Sequence, residues 1–220
     1  MKTILYSACY INPDNTSKLS ISRIQRWVNY YSSIAKELFV DKIILIDDGS
    51  DPESLSKVLL PHRVFTKSLQ PHLGRGDAFA HWGWWRSFTY GGIIAEEEGA
   101  DRIISIETDA FVLTNKMAKY IRAVHDEWST PWNNTLQWPE TSFQIIGKNH
   151  FAWLKKHYSE GQDFWCKPRL EADCPEKTLP VTEINKDLIG DRYTEWGSQI
   201  PETADFACQV GNDFVPRGLV

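Results

Sequence analysis

Two short apolar runs that both end in acidic residues constrain the fold of this chain most strongly. Lys42–Ile46 leads into Asp47-Asp48-Gly49-Ser50, and Arg102–Ile106 leads into Glu107-Thr108-Asp109. Continuous apolar runs of this length are typical of strands buried on both faces of a parallel sheet. Ligands of such sheets bind beyond the carboxyl ends of the strands. The acids are therefore predicted to lie at the ligand-binding edge, and to converge on one cleft if the two strands are neighbours.

The segments around these runs predict alternating strands and helices. Ile4–Ala8 has the length of a first strand, and Val64-Phe65 indicates a further short one. Apolar residues recur at helical spacing between Ile21 and Leu38, most of 72–98 is predicted to be helix, and Thr114 caps another helix. After residue 128 the pattern is less regular. We predict an α/β fold in which helices flank a central, mostly parallel mixed sheet, with residues 1–220 forming a single domain.

Charge and cysteine content exclude several classes of protein. The net charge is −5 and there is no Lys/Arg-rich run, which argues against nucleic acid or an anionic membrane as a partner. No segment is long and apolar enough for a transmembrane helix or a signal peptide. The four cysteines form no CxxC pair, so neither a zinc site nor a disulfide framework is expected. We expect a cytoplasmic, reducing location.

The acid pair Glu107-x-Asp109 has the chemistry of a divalent-cation site. Carboxylates at alternate positions can both reach one cation, and the remaining ligands would be phosphate oxygens and water. Mn²⁺ or Mg²⁺ suits such a set of oxygen ligands. Taken singly, each acidic cluster reads as an ordinary turn or strand end. Their order, with Gly74-Arg75-Gly76 between them, favours a functional site.

This order of features resembles that of GT-A fold nucleotide-sugar-dependent glycosyltransferases. The likeness covers roughly residues 3–125, and Ile44–Asp51 is similar to the aspartate strand of family-2-like enzymes. A weaker resemblance is to the small GT-A domains with which large DNA viruses glycosylate their capsids, which would place the chain in a host cytoplasm. The resemblance implies a Rossmann-like GT-A fold, with about 1–125 binding the nucleotide-sugar and about 126–220 binding the acceptor.

The resemblance also implies roles for individual residues. Glu107 and Asp109 would form the DxD-like motif, with Asp109 as the direct metal ligand and Glu107 facing the ribose or a metal-bound water. Glu107 replaces the usual aspartate, and no histidine follows His157 to supply a further ligand, so a water or a late carboxylate would take its place. The nucleotide would be bound by residues that follow the first strands: Tyr10 near the base, Asp47 or Asp48 at the base or ribose, and Gly74 and Arg75 at the base edge or diphosphate.

An inverting transferase also needs a base for the acceptor hydroxyl. The densest acidic group in the second half supplies the candidates Asp173, then Glu176, then Glu171, while Asp163, Asp191 and Asp213 stay open. The chain contains ten tryptophans, and their indole faces suit sugar rings. We expect one or two of Trp132, Trp138, Trp165 and Trp196 to contact the acceptor.

The predicted function is metal-dependent transfer of a hexose or deoxyhexose from a nucleoside-diphosphate sugar, with UDP as the nucleotide, to a hydroxyl of a glycan or glycoprotein. A sugar-phosphate nucleotidyltransferase is an alternative, although Cys9–Pro13 does not resemble its glycine-rich loop. A non-catalytic, Trp-rich carbohydrate-binding module is another, although such modules are usually β-sandwiches. Because Gly211–Arg217 forms no clear terminal element, the chain could also be part of a larger glycosylation protein.

Overall fold

The computed structural model describes residues 1–13, 17–76, 81–166, 179–193, 200–216 and 218–219. The strands are β1 (Thr3–Cys9), β2 (Lys42–Asp47), β3 (Val64–Ser68), β4 (Arg102–Ile106), β5 (Phe111–Val112), β6 (Trp128–Asn133), β7 (Trp138–Pro139), β8 (Phe143–Gly147), β9 (Glu183–Asn185), β10 (Gly190–Arg192) and β11 (Phe206–Cys208). The helices are α1 (Ser17–Ile34), α2 (Pro52–Ser56), α3 (Trp82–Glu97), α4 (Asn115–Ala123), α5 (Phe151–Ser159) and α6 (Gln162–Trp165).

The strands form one large mixed sheet and one small sheet. The large sheet has the order β3-β2-β1-β4-β8-β6-β7, with β9 beside β6, and the small sheet has the order β10-β11-β5. Pairing is parallel from β3 through β4 and antiparallel from β4 through β7. The predicted α/β class, with a mostly parallel central sheet and flanking helices, is confirmed.

Side chains alternate between the two faces of the central strands, as the pleat of a β-strand requires. Leu5, Leu45 and Ile104 pack with α1, α4 and the small sheet on one face. The opposite face carries Ile4 and Ile103, which pack with α3, α5 and α6. Because both faces are covered, the central strands read as continuous apolar runs in the sequence.

Much of the tryptophan content lies in the layer formed by α3, α5 and α6. Trp85 contacts Phe164 edge to face at 5.5 Å between ring centroids, and Trp128 contacts Trp153 in the same way at 5.3 Å. Trp165 packs on Tyr158 at 5.4 Å. Edge-to-face contacts of this kind add to the stability gained from burial. These rings join the helices to the sheet on the face opposite α1.

The strand order separates the two acidic groups. β1 pairs with both β2 and β4, so it lies between the strands that carry the acids. Neighbouring strands are spaced about 4.8 Å apart, so the ends of β2 and β4 are about 10 Å apart. The acids share the same edge of the sheet, but the strands are not neighbours. The order also reverses at β1, which makes the crevice between β1 and β4 the place where such sheets bind ligands.

The helix boundaries follow local chemistry. The Thr114 hydroxyl accepts a hydrogen bond from Met117 N and begins α4, as predicted. α3 begins at Trp82 rather than near His72, because the backbone N–H groups of Leu73 and Gly74 are bonded to the Asp48 carboxylate instead of continuing a helix. In the described ranges, none of the helices combines the length and the apolar character needed to cross a bilayer.

Close packing of α3 on β1 gives a stability prediction. A Cβ atom at Gly91 would lie 2.5 Å from Cζ of the buried Tyr6, whose hydroxyl donates to Phe88 O. Gly91→Ala should therefore lower the free energy of unfolding by about 1–3 kcal/mol, measured by urea denaturation. Adding Tyr6→Leu removes the clash, so the double variant should lose less than the sum of the two single variants. Additive losses would contradict this cause.

Candidate active site

Asp47, at the end of β2, forms its side-chain hydrogen bonds within its own turn. Its carboxylate accepts hydrogen bonds from Ser50 N, at 3.1 and 3.2 Å, and from the Ser50 hydroxyl. The same hydroxyl accepts a bond from Ile11 N at 2.8 Å, which ties the turn after β2 to the chain after β1. Asp47 is fully buried. In this structure its carboxylate therefore shapes the edge of the cleft, and direct contact with a nucleotide stays a prediction.

Asp48 is a buried, charged residue whose carboxylate is contacted by several hydrogen-bond donors. Its carboxylate forms an ion pair with Arg86 of α3 and accepts bonds from Leu73 N and Gly74 N at 3.2 and 3.1 Å. His72 Nδ1 lies 2.7 Å from the backbone oxygen of Asp48 and 2.8 Å from its carboxylate. The side chains of Asp48 and Arg86 are 6% and 5% exposed, so each needs the other. Asp48 thus fastens the 72–74 loop and the start of α3 to the end of β2.

The predicted nucleotide-side residues lie around this loop. The Tyr10 ring stacks on His72 with centroids 3.6 Å apart and an angle of 8° between the planes. Gly74 has a φ of +60°, a conformation that favours glycine, and Arg75 is exposed. The structure brings Tyr10, Asp48 and Gly74 together at the edge of the sheet, as the resemblance implies.

Glu107 and Asp109 form an acid pair whose ionised forms are unfavourable in this environment. Both side chains are partly exposed. Burial and the neighbouring charge of Asp109 raise the pKa of Glu107 to about 8, although the charge of Arg192 opposes the shift. Burial also raises the pKa of Asp109, against the opposing charge of Arg23 on α1. Like charges in a partly desolvated place raise one another's pKa in this way. Among the described residues, the charges of Arg192 and Arg23 compensate the ionised pair only in part.

The donor set fits a divalent cation. Asp109 Oδ1 is buried and has no hydrogen-bond partner in the described ranges. An unpartnered carboxylate oxygen beside a second carboxylate is a suitable start for an Mg²⁺ or Mn²⁺ site. Within those ranges, no group of three His, Cys, Asp or Glu side chains is arranged to hold a metal. Glu107 and Asp109 would therefore supply two ligands, and a bound diphosphate and water the others.

Sequence reasoning missed three charged residues at this site. Arg86 pairs with Asp48, and Arg192 of β10 pairs with Glu140, which is fully buried after β7. The sequence offered one signal for Arg86, which is its place between Trp85 and Ser87-Phe88 on a predicted helix. A buried arginine there requires an acidic partner. The pattern around Glu140 and Arg192 carries no comparable signal.

Several predicted residues lie outside the described ranges: Asp173, Glu176, Glu171 and Trp196. Of the other candidates, Asp191 accepts a hydrogen bond from the Thr135 hydroxyl in the β6–β7 loop. Trp132 and Trp138 lie in the same hairpin, where Lys186 Nζ is 4.4 Å from the centroid of Trp132. The Trp165 indole donates to Thr89 Oγ1 at 3.2 Å on the face opposite α1. The hairpin therefore holds the acceptor candidates that lie nearest to Glu140.

The strand order and the flanking helices give the chain the GT-A fold that the sequence resemblance predicted, and solved glycosyltransferase structures share this fold. One similar solved structure is a glycosyltransferase involved in glycosylation of the major capsid of PBCV-1, with 12% identity, a TM-score of 0.56 and 96% of each chain covered. Another is the galactosyltransferase LgtC in complex with donor and acceptor sugar analogues, with 10% identity and a TM-score of 0.57 over 94% of this chain and 87% of that one. An active-site mutant of LgtC gives 8% identity and a TM-score of 0.59 over the same shares. No family model and no curated protein sequence matches the chain.

Replacing Asp48 and replacing Asp109 by asparagine should have different effects on the free energy of unfolding. Asp48→Asn leaves Arg86 as a buried charge with a weakened partner, so the free energy of unfolding should fall by about 3–5 kcal/mol. Asp109→Asn removes a charge that is already unfavourable, so the same free energy should stay unchanged or rise. Urea denaturation at pH 7 without metal measures both. A large loss in Asp109→Asn would show that this carboxylate has a structural partner.

The acid pair also predicts a pH dependence. The pKa of Glu107 is about 8 in the folded chain and near 4.5 when unfolded, so the folded chain holds the proton over this interval. Its contribution to stability is complete below about pH 4.5 and is lost as pH rises through about 8. The free energy of unfolding of the metal-free protein should therefore fall over this range, at up to about 1.4 kcal/mol per pH unit.

Glu107→Gln should remove this part of the slope, measured by denaturation at a series of pH values. The exposed Glu53, paired only with Lys57, offers a matched control, because Glu53→Gln should leave the slope unchanged. An unchanged slope in Glu107→Gln would contradict the raised pKa.

Proposed function

We propose that this chain is a divalent-metal-dependent glycosyltransferase. It would transfer a hexose or deoxyhexose from a nucleoside-diphosphate sugar, with UDP as the nucleotide, to a hydroxyl of a glycan or glycoprotein. The observation that carries the proposal is the partly exposed acid pair at the β1–β4 crevice, with Asp109 Oδ1 unpartnered in the described part of the chain. The GT-A fold supports it, because in parallel α/β sheets this crevice is where ligands bind.

In this proposal, Asp109 binds Mn²⁺ or Mg²⁺ directly and Glu107 binds it directly or through water. The cation, when bound, would stabilise negative charge on the diphosphate leaving group. Tyr10, Gly74 and Arg75 line the nucleotide side. Asp48 serves this side by holding the 72–74 loop, whether or not it also contacts the base or ribose.

The transfer itself requires a group at the acceptor hydroxyl. A bond forms between the acceptor oxygen and the sugar C1 while the bond from C1 to the diphosphate oxygen breaks. In an inverting reaction the hydroxyl proton passes to a carboxylate. We propose Asp173 for this role, followed by Glu176 and Glu171.

The acceptor side is proposed to include the β6–β7 hairpin. Trp132 and Trp138 lie there, and both side chains are partly exposed. A partly exposed tryptophan offers its indole face to a sugar ring. One similar structure acts in capsid glycosylation and another is a galactosyltransferase, which is consistent with a hexose and a glycan or glycoprotein acceptor.

Nucleotide binding with and without metal tests the proposal. Isothermal titration calorimetry should show micromolar UDP affinity with Mn²⁺ and an affinity at least about tenfold weaker in its absence. In Asp109→Asn the added Mn²⁺ should no longer strengthen UDP binding, because the direct ligand is lost. Asp126→Asn, at an exposed position in the loop before β6, is the matched control and should behave like the unmodified protein.

Other outcomes would identify the alternatives. Glycan binding without any nucleotide binding would overturn the proposal in favour of a carbohydrate-binding module. Release of pyrophosphate from a nucleoside triphosphate and a sugar phosphate would indicate a nucleotidyltransferase. Full metal dependence in Asp109→Asn would show that the metal site lies elsewhere.

A further inference from the structure

Arg192 is held rigidly by a carboxylate that is itself fixed in the protein. Its Nε and Nη2 atoms donate to the two oxygens of Glu140 at 3.1 and 2.9 Å, and Nη2 also donates to Thr141 Oγ1 at 3.2 Å. Glu140 is fully buried and accepts further bonds from Asn133 Nδ2 at 2.7 Å and from Ser142 N at 3.0 Å. A guanidinium bound at two atoms to one carboxylate has a defined plane.

This pair adjoins the Glu107–Asp109 site. Glu107 N donates to Ser142 O at 3.1 Å, and Ser142 N donates to Glu140 Oε1 at 3.0 Å, so Ser142 links the backbone of Glu107 to the carboxylate of Glu140. Arg192 lies on β10, which pairs with β11. β11 in turn pairs with β5, the strand that follows Asp109.

Arg192 keeps donors available on its outer side. Its side chain is 23% exposed, whereas that of Glu140 is 0% exposed, so the guanidinium lies between the buried carboxylate and solvent. Nη1 has no hydrogen-bond partner in the described parts of the chain. The clamp therefore leaves the two N–H groups of Nη1 without an acceptor among the described residues, and a ligand could supply one.

Stability alone does not explain a buried ion pair at this position. A protein with two apolar side chains of similar volume in place of a buried ion pair is often as stable as the original or more stable, because burying both charges is costly. Glu107 and Asp109 do not need Arg192 if they bind a divalent cation, since the cation neutralises them. The outer side of Arg192 is then suited to the anionic oxygens of a ligand. The guanidinium of Arg192 is a rigid, planar group with forked N–H donors, and this arrangement matches the oxygens of a phosphate bound beside the cation site.

We propose that Arg192 binds the diphosphate of the donor through Nη1, and that Glu140 is a positioning residue that fixes the guanidinium plane. This inference rests on the proposed function and identifies a further group that would bind the leaving group. When the bond from C1 to the diphosphate oxygen breaks, negative charge grows on the diphosphate. Arg192 would stabilise that charge without moving, because Glu140 already holds it in place.

A charge-neutral double variant separates this role from a structural one. Glu140→Met with Arg192→Met removes both charges and nearly conserves volume, so the chain should fold and melt close to the unmodified protein. Calorimetric titration with Mn²⁺ and pyrophosphate should show affinity weaker by about tenfold to a hundredfold, the loss expected for a charge-assisted hydrogen bond. Affinity for Mn²⁺ alone and for uridine should change less than about threefold, below the effect of one such bond.

Unchanged pyrophosphate affinity in the folded double variant would overturn the proposal. The control is Arg122→Met, which removes an arginine that donates to Glu37 O on the surface, and it should leave pyrophosphate affinity unchanged. If the double variant does not fold, Arg192→Lys decides the question. Lysine keeps a cation against Glu140 but lacks the fork, so pyrophosphate affinity should fall about tenfold if Arg192 binds phosphate. It should stay unchanged if Arg192 only neutralises Glu140.

Binding measurements on the unmodified protein distinguish failure of the Arg192 proposal from failure of the proposed function. If it binds neither UDP nor pyrophosphate with Mn²⁺, the proposed function is wrong and the Arg192 proposal falls with it. If it binds both, and the variants bind pyrophosphate equally well, only the role of Arg192 is wrong.

Discussion

The buried ion pair between Asp48 and Arg86 determines how the ligand edge of this protein is built. A carboxylate at the end of a central strand cannot be left without partners, and Arg86 brings α3 to it from 38 residues further along the chain. The same carboxylate holds the 72–74 loop. Gly83 makes the close approach possible, because a Cβ there would lie 2.1 Å from Asp48 Oδ2. The positions of α3 and of the Tyr10–His72 stack follow from this one neutralised charge.

The acids at the edge therefore divide into two kinds. Asp47 and Asp48 have their partners within the protein and contribute to the shape of the cleft. Glu107 and Asp109 lie on the other side of β1, are partly exposed, and carry charges that the protein compensates poorly. A chain selected only for stability would have little reason to keep the second pair. Local conflict of this kind, within an otherwise consistent fold, is typical of functional sites.

Local sequence patterns predicted most of the fold. Continuous apolar runs identify β1, β2 and β4 because both faces of these strands are covered, and Thr114 begins α4 through a bond within its own turn. The position of Glu107 and Asp109 directly after β4 was also predicted, while their role as a DxD-like motif stays a prediction. The strand order was not, because the placement of β1 between β2 and β4 depends on long-range pairing. Arg86 and Arg192 were missed for the same reason, since their partners are 38 and 52 residues away in the sequence.

The distribution of tryptophans has a consequence for spectroscopy. Trp84, Trp85, Trp128 and Trp153 lie in one network of touching rings on the face of the sheet opposite α1. Energy transfer among these indoles will therefore contribute to the intrinsic fluorescence. A change in their emission on heating will report loosening of α3 and α5 from the sheet. Trp132 and Trp138 of the β6–β7 hairpin lie outside this network, so the emission from the hairpin is a separate part of the signal.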